Sequence, residues 1–280
     1  GQSLILDGQT EDVILQNSLG HTTPLTALNI NGSGNRVFIA SEVQVAGPIN
    51  IYLPEAMVFT GNVSFINPST NDLMNLTTNR VNGQGRGAQT LTIQAGAEST
   101  VDLGPSGFQT ALGEVQVTCG TFRVWGIRTD GDPISITADT ALRVSSVILD
   151  TTNNGLAAGA NITFSSTVDS DPTLEDHNGL TLMAGSGSIS LPAVVGSVDP
   201  LQSLSVLSAS GVAIQSVTAV DAISIPQQIT LSQTPLTTFT SQDHGDIVLG
   251  SIDGLAEGIH SLTVSTKGSG EITLGVIGSG

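Results

Sequence analysis

Positive charge is what this chain most lacks. Seven Lys and Arg stand against 24 Asp and Glu in 280 residues, a formal charge of −17. Nucleic-acid binding needs cationic groups along phosphates, and an anionic membrane surface asks for the same. Net charge argues against both partners. There is one cysteine, Cys119, so neither an internal disulfide framework nor a cysteine-rich zinc site can form. The chain has no uninterrupted apolar run long enough for a membrane-spanning helix. Aromatic residues make up 3% of the chain, too few for the large aromatic anchors of an immunoglobulin-like sandwich. Charged residues are 11%, against about 25% in an average domain. Mean hydropathy is nevertheless positive, +0.22, which excludes bulk disorder. The chain opens at Gly1 without Met and without the basic and apolar stretches of a signal peptide.

What is present is short alternation at period two. Thr90-Leu91-Thr92-Ile93-Gln94, Asn161-Ile162-Thr163-Phe164-Ser165 and Glu271-Ile272-Thr273-Leu274 are examples. Branched Val, Ile and Thr fit a pleated surface. Gly, Asn, Asp, Ser and Pro punctuate the runs as turns require. No sustained apolar period of the helical kind appears. Leu53-Pro54-Glu55-Ala56-Met57 has room for one helical turn at most. The chain reads as all-β with a narrow interior of Leu, Ile, Val, Thr and Ala.

It also repeats. Leu91-Thr92-Ile93-Gln94-Ala95-Gly96 matches Leu180-Thr181-Leu182-Met183-Ala184-Gly185, with relatives at Leu4 and Leu262. A second block, Leu-x-x-(Leu/Val)-x-(Ile/Val), begins at Leu25, Leu112 and Leu201. The spacing is constant: Leu4 to Leu25, Leu91 to Leu112 and Leu180 to Leu201 are equal steps. A step of about 21 residues suits one coil of a β-solenoid, whose apolar strip becomes continuous only by stacking. The expected fold is a right-handed parallel β-helix with coils of about 21 residues; tandem β-sandwich modules are the alternative. The repeats run 4–90, 91–179, 180–261 and, in part, 262–280. They make one elongated body, expected to be a fragment of a longer repetitive chain. At about 4.8 Å per coil it would span roughly 60 Å. Charge is uneven, since residues 1–143 hold six arginines and residues 144–280 a single base, Lys267.

The string Gly179-Leu180-Thr181-Leu182-Met183-Ala184-Gly185-Ser186-Gly187-Ser188-Ile189-Ser190-Leu191, followed by residues 195–206, resembles filamentous-haemagglutinin-like bacterial surface proteins. The resemblance covers most of the chain as repeat texture. It implies a large extracellular right-handed parallel β-helix used as an adhesin or stalk. That family's amino-terminal Asn-Pro-Asn-type motif has no match here, the nearest string being Asn67-Pro68-Ser69.

Candidate chemistry is sparse. Asp169, Asp171, Glu175, Asp176 and His177 form the densest polar cluster. It reads first as a solvated loop, then as a weak calcium site, and last as a carboxylate pair for glycoside hydrolysis. Asp243-His244-Gly245-Asp246 is similar, and Asp130-Gly131-Asp132-Pro133 reads as a turn. His21, His177, His244 and His260 show no metal-ligand spacing. Gly83-Gln84-Gly85-Arg86-Gly87 lacks the lysine and helix of a phosphate loop and reads as a flexible corner. Cys119 is expected in the interior. Trp125 gathers Arg123 and Arg128 beside it, either as a contact surface for a glycan or subunit or as a Trp filling a wider coil. No residue is assigned to catalysis, cofactor or metal.

The expected role is therefore structural or adhesive, without chemistry and without a cofactor. The resemblance implies that the chain is part of an extracellular filament protein of a bacterial cell surface. The expected partners are neighbouring modules, copies of the same chain, and host or environmental glycans. A β-helix enzyme or binding module acting on polysaccharide is the alternative.

Overall fold

A computed structural model of the chain describes residues 2–9, 11–32, 36–52, 55–174, 176–231, 236–254 and 260–278. The chain divides into two compact units, Gly1–Ala138 and Asp139–Gly280. Each consists of parallel strands stacked coil upon coil in a right-handed β-solenoid. Right-handed crossovers are the rule where parallel strands follow one another in a sheet. Every pairing recorded among the described residues is parallel. A sandwich of antiparallel sheets is therefore not what forms.

In the first unit the coil has three columns of strands. Column one stacks Val13–Leu15, Arg36–Ile39, Ala56–Phe59 and Val81–Gly83. Column two stacks Val43–Gln44, Val63–Asn67, Leu91–Ala95 and the first half of Val115–Val124. Column three runs from Ser3–Asp7 through Ala27–Asn31, Ile49–Tyr52, Leu73–Leu76 and Thr100–Leu103 to the second half of Val115–Val124. Alternate side chains turn inward and form continuous apolar stacks, such as Leu28, Ile49, Met74, Val101 and Phe122. All five are fully buried. The second unit repeats the construction, with Val147, Leu180, Leu204, Ile223, Ile247 and Ile272 in one stack. No single coil could bury such a strip, so stability resides in the contact between coils.

Coil length varies along the chain. Val212 pairs with Ile229 across a short coil, and Ser146 with Gly179 across a long one. The long coil carries the loop after Asp150. The fully buried carboxylate of Asp150 accepts the Thr152 amide and hydroxyl at 2.8 and 2.7 Å and the Asn154 amide at 2.8 Å.

The repeat has a clear physical meaning. Leu4 stacks on Leu28, Leu91 on Val115 and Leu180 on Leu204, the same distance along the chain each time. The block lies one coil along in all three copies. Its leading Leu25, Leu112 and Leu201 sit just before those stacked residues, in bridges to Val45, Thr129 and Ala219. Between Leu4 and Leu91 the chain completes three coils, at Leu28, Ile49 and Met74. It then passes the column-one strand Val81–Gly83 and enters column two. A repeat is therefore three and two-thirds coils, and the second copy lies on a different column from the first. Leu180 and Leu262 in the second unit are related in the same way.

Residues 55–57 are not helical. Ala56–Phe59 is a strand, because Met57 and Phe59 face inward while Val58 faces out. Leu53 and Pro54 lie outside the described residues.

Candidate functional site

The cluster at 169–177 divides: Asp169 and Asp171 are buried in a hydrogen-bond network, while residues 172–174 and Asp176 face solvent. Asp171 is fully buried, and its carboxylate receives Arg143 Nη1 at 2.8 Å and the Thr173 amide and hydroxyl at 2.9 and 2.7 Å. Oδ1 of Asp169 accepts the amides of Val198 and Asp199 at 2.8 and 3.4 Å. His177 Nδ1 lies 3.1 Å from Asp199 Oδ1, and Asp176 faces solvent. Glu175 is outside the described residues. Among the described residues no three His, Cys, Asp or Glu side chains gather in a way that could hold a metal ion.

The other candidates are held by nearby groups, several of them at the surface. Asp243 bonds to its neighbour His244, whose φ is +53°. Asp130 takes the Arg86 guanidinium at 2.7 Å, and Thr129 Oγ1 donates to the Asp132 carbonyl, closing the turn. Burial pushes the Asp132 carboxyl up from its ordinary pKa, with the Asp130 and Glu114 charges adding to the effect. The corner at 83–87 is tied to its surroundings by hydrogen bonds. The Gly87 amide donates to the Ala111 carbonyl at 2.9 Å, and the Gly85 amide to Gln89 Oε1 at 2.9 Å. His21 pairs with Glu42 at 3.0 Å. Cys119 points inward, and burial pushes its thiol up to about 12.

Trp125 does not fill the coil. Phe122 and Val124 are the buried residues of that strand end, and Trp125 is half-buried. Its Nε1 donates to Asp102 at 3.3 Å. Arg128 lies over the Phe108 ring, 4.8 Å from its centre.

One concave feature lies outside the candidates read from the sequence. It is a cleft of about 350 Å³ on column one of the first unit. Three parallel strands make its floor. Phe38 stacks on Val58 and Val58 on Asn82, with Ala56 beside them opposite Arg36. The inward partners Val37, Met57 and Val81 are wholly buried, so alternation forces the floor residues outward. Because the strands are parallel and in register, their starts share one end of the cleft. Arg36, Glu55 and Arg80 stand there. Arg36 is held by Asp12 at 2.8 Å and lies over the Phe38 ring, 5.0 Å from its centre. The hydrogen bond from Arg36 holds Asp12 below the usual carboxylate range. Arg80 stands 3.8 Å from Glu55. The strand ends carry neutral groups instead: Gln84, Gln109 and Thr110. Oδ1 of the buried Asn82 accepts the amides of Gln109 and Thr110, both at 3.2 Å, and so fixes that wall.

A sequence signal for the cleft existed. Arg36-Val37-Phe38 recurs one repeat later as Arg123-Val124-Trp125. The second copy is conspicuous because it holds the single Trp; the first is visible only once the offset is applied.

No protein-family description, no curated protein and no solved structure matches this chain.

Proposed function

We propose that the chain is a structural and adhesive segment of a large extracellular filament protein on a bacterial cell surface, one that performs no reaction itself. The observation carrying this reading is the constant stacking step shared by Leu4 with Leu28, Leu91 with Val115 and Leu180 with Leu204. A sequence module reproduced with constant register is what a scaffold extended by duplication requires, since each coil depends on its neighbours alone. Much of the outward surface agrees with it. Between inward apolar residues stand hydroxyls such as Thr92, Thr181, Ser205 and Ser224, groups that interact with polar polymers without strong charge. The texture shared with filamentous-haemagglutinin-like surface proteins points the same way. Neighbouring modules and copies of the chain are its structural partners, and surface glycans its adhesive ones.

Two measurements test the reading. Antibodies raised against the chain should label intact, unpermeabilised cells of the producing organism, and electron microscopy should place the label on extended surface structures. Labelling only after lysis would overturn the location. Incubation with a panel of polysaccharides should release no new reducing ends or unsaturated products. Their appearance, lost on mutating a cleft carboxylate such as Glu55, would make the chain an enzyme.

A further inference from the structure

We infer that the column-one cleft binds an acidic oligosaccharide, its carboxylate at Arg80 and its hydroxyls toward Gln84 and Gln109. The inference deepens the adhesive reading above and rests on it.

Charge comes first. In a chain carrying −17, most surfaces repel an anion. Two guanidiniums, Arg36 and Arg80, and the Glu55 carboxylate line this cleft, and with Asp12 beside Arg36 the charges balance, so the site lacks the negative excess of the rest of the chain. Arg36 is already engaged by Asp12 in a 2.8 Å pair. The Arg80–Glu55 separation of 3.8 Å is long for a charge-assisted hydrogen bond, whose usual length is about 2.8 Å. Arg80 therefore has a planar donor fork that a ligand carboxylate can engage at shorter range.

Polarity along the cleft comes next. The charged end lies at the strand starts, and the amides of Gln84 and Gln109 stand at the strand ends. Each amide offers donors and an acceptor, which suits hydroxyls that both give and receive hydrogen bonds. Val58, with the part of the Phe38 ring that the Arg36 guanidinium leaves uncovered, gives an apolar floor, where the C–H face of a sugar ring can lie. An acidic sugar presents all three of these features within a short stretch: a carboxylate, a ring face and a hydroxyl rim.

An acidic peptide is the competing ligand and fits less well. Peptides bind sheets most readily by adding a strand to an edge. Here the floor is the face of a sheet whose backbone groups already bond from coil to coil. Recognition must come from side chains alone, and side-chain amides spaced across coils match a polyhydroxyl surface.

The test uses the whole chain and isothermal titration calorimetry. Hexagalacturonate is the acidic probe, cellohexaose the neutral one, and a hexaglutamate peptide the competitor. Hexagalacturonate should bind, weaken as salt rises to about 0.3 M, and bind at least about tenfold tighter than either other probe. Arg80→Gln should lower its affinity about tenfold. Arg80→Lys should restore part of that loss, and Phe38→Ala should weaken binding of the acidic sugar. Arg123→Gln, outside the cleft, should change nothing. Circular dichroism of each variant confirms that the coil is intact. Absence of hexagalacturonate binding, equal binding of cellohexaose, tighter binding of hexaglutamate, or insensitivity to Arg80→Gln would each overturn the inference. None of these would disturb the cell-surface labelling that tests the structural reading, so the two fail separately.

Discussion

Asn82 and Asp169 hold equivalent loops in the same way. Oδ1 of Asn82 accepts the amides of Gln109 and Thr110, and Oδ1 of Asp169 accepts those of Val198 and Asp199. Both side chains are buried. The loops they hold are copies, one opening at Gly107 and closing at Leu112, the other opening at Gly196 and closing at Leu201. A carboxamide in one copy and a carboxylate in the other means that an acceptor oxygen is required and charge is not. Asp169→Asn should therefore leave stability nearly unchanged. Asp169→Ala should cost about 1–3 kcal/mol, the penalty for buried amides left without an acceptor. Urea unfolding of the two variants side by side measures the difference; equal losses would show that the charge matters.

The glycine that opens each loop admits no substitute. Gly20, Gly107 and Gly196 have φ of +76°, +80° and +70°, and a methyl group on each would lie 2.0–2.1 Å from a carbonyl oxygen one coil on. Gly107→Ala combines an unfavourable backbone angle with that collision. It should destabilise the chain by more than about 1 kcal/mol. The readout is a lower thermal midpoint, while Gly155→Ala, at φ +83° with open space around it, should cost less. A smaller effect at Gly107 than at Gly155 would contradict the packing described.

Arg143 and Asp171 form an ion pair whose acid is wholly buried. Arg143→Met strands that carboxylate and should cost about 3–5 kcal/mol. Adding Asp171→Asn should return much of the loss, because the Thr173 bonds need only an acceptor. Denaturation of the single and double variants tests this; an additive double variant would mean that the two side chains do not interact.

Cys119 gives a pH prediction. Its thiol is raised to about 12 by burial, against about 8.5 in an unfolded chain. Burial thus favours the neutral form. Its contribution to stability is whole below the unfolded value and is lost as pH rises toward the folded one. At mildly alkaline pH, still below the unfolded value, the native chain should resist iodoacetamide and the urea-unfolded chain should react, as mass spectrometry would read. Rapid labelling of the native chain would place the thiol at the surface.

Local patterning alone made the all-β class, the coil and the recurring modules legible. Period-two alternation dictates strands, and Leu4, Leu91 and Leu180 announce the modules because similar apolar stacks call for similar residues. Two things were beyond its reach. The spacing from Leu4 to Leu25 was readable, but the stacking of Leu4 on Leu28 was not, because Leu25 belongs to a corner bridge and only coil-to-coil hydrogen bonds show that. Asp171 and Asp169 read as a solvated acidic loop for a related reason, since their partners Arg143 and the Val198 amide lie a whole coil away along the chain.

That strands form, that they stack in parallel coils and that the chain is built of modules follow from the spacing of apolar residues within a few positions and from its recurrence, both local properties of the chain. Which column each module occupies and where a cleft opens emerge only once the coils are stacked. Both depend on coil lengths accumulated over three and two-thirds turns, and on side chains such as Phe38, Val58 and Arg80 that meet only when separate coils stack.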